Sequence, residues 1–283
     1  MIDGSVEALN YLRTQGKQVT FLTNNSTKSR QEYVEKFTNY GIEATIENIC
    51  CSASSAARYL ARDNASHVLV IGSQGLIEEI ELLGDDVKAT GVDEIQFTHQ
   101  LDVTPADFAK VELPSFSHVV IGLDTQFTYA KLCVASLAIQ QGAKFISTNK
   151  DAALRTACIN DGKRYMPGNG SLIAAVEKAT GIQSVNTGKP SEHILETLQE
   201  SLVSEDSDAK FELEKTVMVG DRLDTDILFG QTFGLTTCLV LTGVTTPEVA
   251  KVSKIQPSFI LPSIKHLMVP DLIQLNKNSG IKS

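Results

Sequence analysis

Cysteine is scarce in this chain and poorly placed for crosslinking. The five thiols (Cys50, Cys51, Cys133, Cys158 and Cys238) are odd in number, and none forms a Cys-x-x-Cys pair. That spacing argues against a disulfide framework or a zinc site, and reduced, mostly buried thiols are expected. Long hydrophobic runs are also missing. The longest, His67-Val-Leu-Val-Ile-Gly72 and His118-Val-Val-Ile-Gly122, have strand length, so no segment is expected to span a bilayer. Met1-Ile-Asp-Gly-Ser5 shows neither a basic n-region nor an apolar h-region, and a cytoplasmic chain is expected. Basic residues are outnumbered, 25 against 34 acidic, for a net charge of -9. Such a field repels nucleic acid and anionic membrane, and neither is expected as a partner. A small anionic substrate would then need local backbone donors, a lysine and a divalent cation to overcome it.

The remaining composition is that of a folded α/β protein. At 283 residues, 42% apolar and 21% charged, the chain has room for about two domains or one large α/β unit. Disorder, collagen repeats and a coiled coil are poor readings. Apolar β-rich runs alternate with segments of 3.6-residue period, the pattern of a parallel sheet flanked by helices. A first helix is expected over Ser5 to Thr14, with Val6, Leu9 and Leu12 inward and Gly16 closing it. Then come a strand over Gln18 to Thr23, a helix capped by Ser26 or Thr27 and stopping at Gly41, and a helix from Ser52 to about Asp63. A second series starts at Val68, with strands Val68 to Ile71, Val119 to Leu123 and Lys144 to Thr148. Its helices are Gln74 to Leu83, Thr128 to Gln141 and Ser171 to Thr180. The polar stretch from Gly84 to Ser117 reads as a surface insertion. Last come helix Ser191 to Leu202, strand Thr216 to Val219, helix Asp224 to Thr232, strands Thr237 to Leu241 and Phe259 to Leu261, and a frayed tail after Asn276. The expected architecture is a doubly wound, Rossmann-like parallel-sheet core (residues 1–66 and 184–283) interrupted by an inserted α/β cap domain (residues 67–183).

Three constellations could carry chemistry. Val19-Thr-Phe-Leu-Thr23 ends in Asn24-Asn25-Ser26 just before a helix. A hydroxyl, two amides and free helix N–H groups at a strand's carboxyl end suit a phosphate, although an Asx or ST turn that merely caps the helix has the same spelling. Thr187-Gly-Lys189-Pro190 puts a lysine before another helix, where it could neutralise a phosphoryl group or simply be a solvated loop residue. Val217-Met-Val-Gly-Asp221-Arg-Leu-Asp224-Thr-Asp226 delivers Gly-Asp at a strand end with two more carboxylates close behind. Hard oxygens in that pattern suit magnesium. Helix-capping acids explain Asp224 or Asp226 equally well but explain Asp221 poorly.

In this order the three motifs resemble the haloacid dehalogenase superfamily of phosphotransferases, and within it the eukaryotic, fungal-like 4-nitrophenylphosphatase and phosphoglycolate phosphatase family. The resemblance runs from Gly4-Ser-Val-Glu-Ala-Leu through Phe21-Leu-Thr-Asn-Asn-Ser-Thr-Lys-Ser-Arg30 to Gly220-Asp-Arg-Leu-Asp-Thr-Asp226. In the insert, Gly122-Leu-Asp124, Thr148-Asn149-Lys-Asp151 and Pro167-Gly-Asn-Gly-Ser171 look like the family's mobile cap. It implies a magnesium-dependent phosphatase of small phosphomonoesters that works through a phosphoaspartate, with a second aspartate two residues later as acid and base. On this resemblance Thr23, Asn24 and Asn25 hold the phosphoryl oxygens, and Lys189 stabilises the intermediate's charge. Asp221 ligates Mg2+, supported by Asp226 and less directly by Asp224. Arg155 is a candidate for a substrate carboxylate, against the reading of a solvated loop arginine. The implied partners are a small phosphorylated metabolite and a second copy of the chain, paired through the cap. A mutase or dehalogenase is disfavoured by the Gly-Asp-x-x-x-Thr-Asp cluster.

The family's first motif, an apolar strand ending in Asp-x-Asp-Gly, is not visible. A βαβ unit needs roughly 30 residues, whereas 22 precede Thr23 and the first helix fills most of them. Met1-Ile-Asp3-Gly4 imitates the motif's second half, but the nucleophile's place would fall on Met1, and Asp3-Gly4-Ser5 reads better as the turn entering the first helix. The expectation is a chain without its first core strand and without a nucleophilic carboxylate. That makes it either an N-terminally incomplete phosphatase or a catalytically silent, phosphate-binding relative.

Overall fold

The computed structural model describes residues 1–95, 104–108, 110–155, 165–202 and 212–268. Its elements begin with α1 (Ser5–Thr14), β1 (Phe21–Thr23), α2 (Arg30–Asn39), β2 (Ile49–Cys51), α3 (Ser52–Arg62), β3 (His67–Ile71) and α4 (Gln74–Glu81). They continue with β4 (Lys88–Gly91), α5 (Pro105–Phe108), β5 (His118–Ile121), α6 (Tyr129–Gln140), β6 (Lys144–Ser147), β7 (Ala153–Arg155), β8 (Tyr165–Pro167) and α7 (Asn169–Thr180). The rest are β9 (Val185–Asn186), α8 (Glu192–Leu202), β10 (Val217–Gly220), α9 (Leu228–Thr232), β11 (Thr236–Val240), α10 (Pro247–Val252) and β12 (Phe259–Leu261). The alternation of strands and helices is the α/β fold that the periodicity predicts.

Two compact units divide the chain. One comprises Leu22–Tyr33 and Ile49–Leu198. Its sheet has the order β4-β3-β5-β6-β9, and all four pairings are parallel. Strands of such a sheet are covered on both faces and therefore read as unbroken apolar runs. Accordingly Val68 to Ile71 and His118 to Ile121 are buried throughout. One face holds the cluster of Leu69, Val119, Ile121, Val134, Ala138 and Phe145. β7 and β8 form an antiparallel hairpin.

The other unit comprises Met1–Phe21, Val34–Asn48 and Gln199–Ser283. Its parallel sheet, β10-β11-β12, buries Leu239 with Leu223, Ile227 and Ala250 on one side and Cys238, Val240 and Leu261 on the other. α1 matches its expected span, and Gly4 enters it in the left-handed region (φ 75), a conformation glycine adopts without strain. Asp3 is almost fully solvated and pairs with Lys265 at 3.3 Å, as a helix-entry turn would have it.

Compactness groups Leu22–Tyr33 with Ile49–Leu198. Thr187 N–H reaches the Ser147 carbonyl at 2.9 Å, Ser55 Oγ donates to the Thr187 carbonyl at 2.7 Å, and these bonds tie the Lys189 segment to the five-stranded sheet. Several expectations are corrected. The Gly84 to Ser117 stretch is more than a surface insertion, because it supplies edge strand β4 and the buried Phe108 and Phe116. α2 starts at Arg30, not beside Ser26 or Thr27: the Glu32 carboxylate accepts the Ser29 N–H at 2.8 Å, which sets the start later. The helix expected from Asp224 opens as a π-turn over Leu223–Ile227 before α9. The strand expected from Gln18 is regular only from Phe21. The tail after Asn276 and Cys158 lie outside the described residues. The other four cysteines are free thiols.

The start of α2 also depends on Glu79 of α4. This carboxylate is 1% exposed and accepts the Arg30 backbone N–H at 2.6 Å and its Nε–H at 3.0 Å. Removing one partner of a buried pair leaves an uncompensated charge, so Glu79→Ala is expected to lower stability by about 3–5 kcal/mol. Urea unfolding of the two proteins measures it.

A second ionic cluster lies at the other end of the sheet. Asp63 accepts from His118 Nε2 at 3.0 Å and from Lys144 Nζ at 2.7 Å. These bonds, His118's first, hold the Asp63 carboxyl below its ordinary value. A depressed folded-state pKa contributes stability that is present above the unfolded value and lost as pH falls through the folded one. Unfolding midpoints measured from pH 7 down to pH 3 should therefore fall less steeply for Asp63→Asn than for the parent chain.

Candidate functional site

In the unit built on the five-stranded sheet, the Thr23 loop and the Lys189 loop meet although 165 residues separate Asn24 from Lys189. β1 ends at Thr23, whose hydroxyl accepts the Asn25 N–H at 3.2 Å and is hydrogen-bonded to the Tyr33 phenol. Burial, reinforced by the Cys51 thiol, pushes that phenol up to about 12, so it stays protonated at neutral pH. Asn25 is exposed and turns its Oδ1 back onto the Thr27 N–H at 2.7 Å and the Thr27 hydroxyl at 2.8 Å. This is the Asx turn that the sequence leaves open, and it closes at Thr27, three residues before α2. The helix N–H groups expected beside Thr23 are therefore not there. Among the described residues nothing accepts from Asn25 Nδ2, and that amide remains able to meet an anion.

Lys189 is 6% exposed and donates from Nζ to the Leu22 carbonyl of β1 at 3.2 Å. It is thus not a solvated loop lysine. An ammonium buried beside a strand end is a strong local positive charge in an otherwise acidic chain. Asn24 does something other than expected: Lys189 N–H donates to its Oδ1 at 2.7 Å, and its Nδ2 donates to the Lys189 carbonyl at 3.2 Å and to Asp151 Oδ1 at 3.1 Å. Both amide protons are used by the protein, which leaves none for a phosphoryl oxygen.

Sequence reasoning missed the shell around this loop. Ser52 Oγ and Asn149 Nδ2 both donate to the Asn24 carbonyl, at 2.6 and 2.8 Å, and Thr148 Oγ1 donates to Ser26 Oγ at 3.1 Å. Ser52, Thr148 and Asn149 are all buried. Three glycines let backbones close in. A Cβ at Gly188 would strike Asn24 Oδ1 and the Thr148 carbonyl, one at Gly122 would strike Ser26 Oγ, and one at Gly75 would strike the Lys28–Ser29 peptide. Gly122, at the end of an apolar run, was the available signal.

Asp221 and Asp226 belong to the other unit. Asp221 follows β10 and accepts the Val244 N–H on Oδ2 at 2.6 Å, and Gly243 leaves room for this, because a Cβ there would overlap the carboxylate. Among the described residues nothing donates to Asp221 Oδ1. Asp226, buried in the π-turn, accepts the Asp221 and Arg222 N–H groups on Oδ2 at 3.1 Å each and so fixes the backbone from which Asp221 projects. Asp224 turns outward to Arg222 at 2.7 Å. Among the described residues no three acidic, histidine or cysteine side chains are grouped for a metal. One open carboxylate oxygen on a fixed backbone fits magnesium, which takes one or two carboxylates and completes its shell with water and phosphate. Arg155 pairs through its backbone with Tyr165, and its side chain lies outside the described residues.

With this geometry in view, comparison with known proteins is informative. A family model described as haloacid dehalogenase-like hydrolase matches residues 1–85, and a HAD-hydrolase-like model matches residues 186–267. The chain belongs to the haloacid dehalogenase-like hydrolases. Within that family it falls among the phosphoric monoester hydrolases. It is 37% identical over 279 residues to phosphoglycolate phosphatase 1A, chloroplastic, of Arabidopsis thaliana, covering 95% of this chain and 72% of the relative. A p-nitrophenyl phosphatase from Archaeoglobus fulgidus superposes with a TM-score of 0.75 at 29% identity, over 94% and 91% of the two chains. A glycerol phosphate phosphatase from Mycobacterium tuberculosis, solved in complex with magnesium, superposes with a TM-score of 0.72 at 29% identity, over 94% and 70%. Among the described residues no helix is long and apolar enough to cross a membrane.

Proposed function

We propose that this chain is the phosphate- and magnesium-binding body of a magnesium-dependent phosphatase for small phosphomonoesters of the 2-phosphoglycolate or 4-nitrophenyl phosphate type. The observation that carries the reading is the buried Lys189 ammonium on the Leu22 carbonyl, one residue before Thr23. Thr23 and Asn25 would orient phosphoryl oxygens there, and Lys189 would balance their charge. Asp221 would hold magnesium through Oδ1, with Asp226 fixing its backbone. Magnesium, when bound, supplies Lewis-acid polarisation of a phosphoryl oxygen. The relatives' names support small phosphate esters as the substrate class.

The 283-residue sequence holds no strand ending in Asp-x-Asp-Gly ahead of Thr23, so no carboxylate is assigned as nucleophile. As given, the chain is expected to bind phosphate without turning over an ester. Incubating the chain with 4-nitrophenyl phosphate and magnesium tests the expectation, and turnover that Asp221→Asn abolishes would show that a nucleophile is present after all.

A further inference from the structure

The Asn24 side chain forms, with the backbone of one residue, an arrangement that resembles a strand pairing. Its Oδ1 takes the Lys189 N–H and its Nδ2 reaches the Lys189 carbonyl, at 2.7 and 3.2 Å, so donor and acceptor of one amide grip donor and acceptor of one residue. We propose that Asn24 is a positioning residue: it clamps the Lys189 peptide and thereby sets where the Lys189 ammonium lies, while Asp151 locks the clamp. The functional part of this inference rests on the reading of Lys189 as the phosphate's counter-charge.

The bonds form a closed circuit. Asn24 is anchored through its own carbonyl by Ser52 and Asn149 and grips the Lys189 backbone with its side chain. The Lys189 side chain then returns to the Leu22 carbonyl, two residues before Asn24. A lysine stem has four rotatable carbons, and its ammonium is placed well only when the stem's root is fixed. Asn24 at 8% and Lys189 at 6% exposure keep water from competing for these bonds. Aspartate cannot replace this amide, because it lacks the donors and would face the Asp151 carboxylate.

Two readouts on the full chain test the clamp: hydrogen exchange at the Lys189 amide by NMR, and titration with inorganic phosphate in magnesium. Asn24→Ala is expected to accelerate Lys189 exchange about tenfold or more while the Val120 and Ile146 amides keep their protection. It should weaken phosphate binding about tenfold when Lys189 is present and leave it unchanged in a Lys189→Ala background, the mark of a residue acting through another. Asn24→Asp keeps an acceptor for the Lys189 N–H but sets a carboxylate against the Lys189 carbonyl and Asp151, so it should weaken phosphate binding as Asn24→Ala does, and adding Asp151→Asn should rescue part of that affinity by giving the new carboxylate a donor. Unchanged Lys189 exchange, equal loss of phosphate affinity in both backgrounds, or failure of the rescue would each overturn the proposal. Should Asn24→Ala unfold the chain, the Asn24→Asp and Asp151→Asn pair decides alone. If the parent binds no phosphate yet Asn24→Ala still frees the Lys189 amide, the counter-charge reading fails and the clamp stands.

Discussion

Placing an apolar strand ending in Asp-x-Asp-Gly ahead of the 283-residue chain is expected to raise its rate of 4-nitrophenyl phosphate hydrolysis steeply. The added strand would bring a carboxylate nucleophile and an acid/base carboxylate. General acid–base action alone is worth about 10² to 10⁴ in rate, and loss of a nucleophile typically costs about as much as loss of the whole catalytic set. The gain should therefore exceed roughly 10⁴-fold. Strand edges are available: β10 is an edge of its three-stranded sheet, and β1 belongs to a sheet of two. Val217 on β10 is half exposed, which is unusual for an apolar residue of a parallel strand. Replacing both aspartates of the added motif by asparagine should remove the activity and leave phosphate binding intact. Release of 4-nitrophenolate measures the gain, and an inactive extended chain that binds phosphate normally would contradict the assignment of the missing chemistry to that strand.

Lys189→Ala should produce the second large effect. In the extended chain, turnover is expected to fall about 10²- to 10³-fold, the usual cost of deleting a buried group that stabilises developing charge. Lys189→Arg should not restore it, because a buried, compact ammonium bonded to the Leu22 carbonyl is not reproduced by a larger planar guanidinium. Comparing kcat for the three proteins separates this from a fault in folding, provided the amide protection of β5 is unchanged. A Lys189→Ala chain as active as its parent would remove Lys189 from the mechanism.

How far the sequence could be read is clearest at these residues. The alternation of apolar runs and amphipathic helices was enough for the α/β architecture, and α1 and β12 fall on their expected limits. Gly16, Gly41 and Gly181 all adopt positive φ where helices were expected to stop, since only glycine takes that conformation at little cost. What could not be read was set by long-range contact. Ser26 and Thr27 are good cap residues by type, yet Glu32 and the distant Glu79 set the start of α2 at Arg30. Asn24 has the spelling of a phosphate ligand, but only three-dimensional proximity to Lys189 and Asp151 shows that its protons are taken. Asp224 and Asp226 are two residues apart and identical in type. Burial in the π-turn makes one a backbone anchor, and exposure beside Arg222 makes the other a surface ion pair.

At the centre of the proposal is phosphate binding by this chain with the help of magnesium at Asp221. Calorimetric titration of the 283-residue chain with inorganic phosphate, with and without magnesium and with Asp221→Asn alongside, addresses it most directly. The account predicts phosphate binding that strengthens with magnesium and loses that response in Asp221→Asn. Phosphate binding indifferent to magnesium, or equally responsive to it in Asp221→Asn, would contradict it.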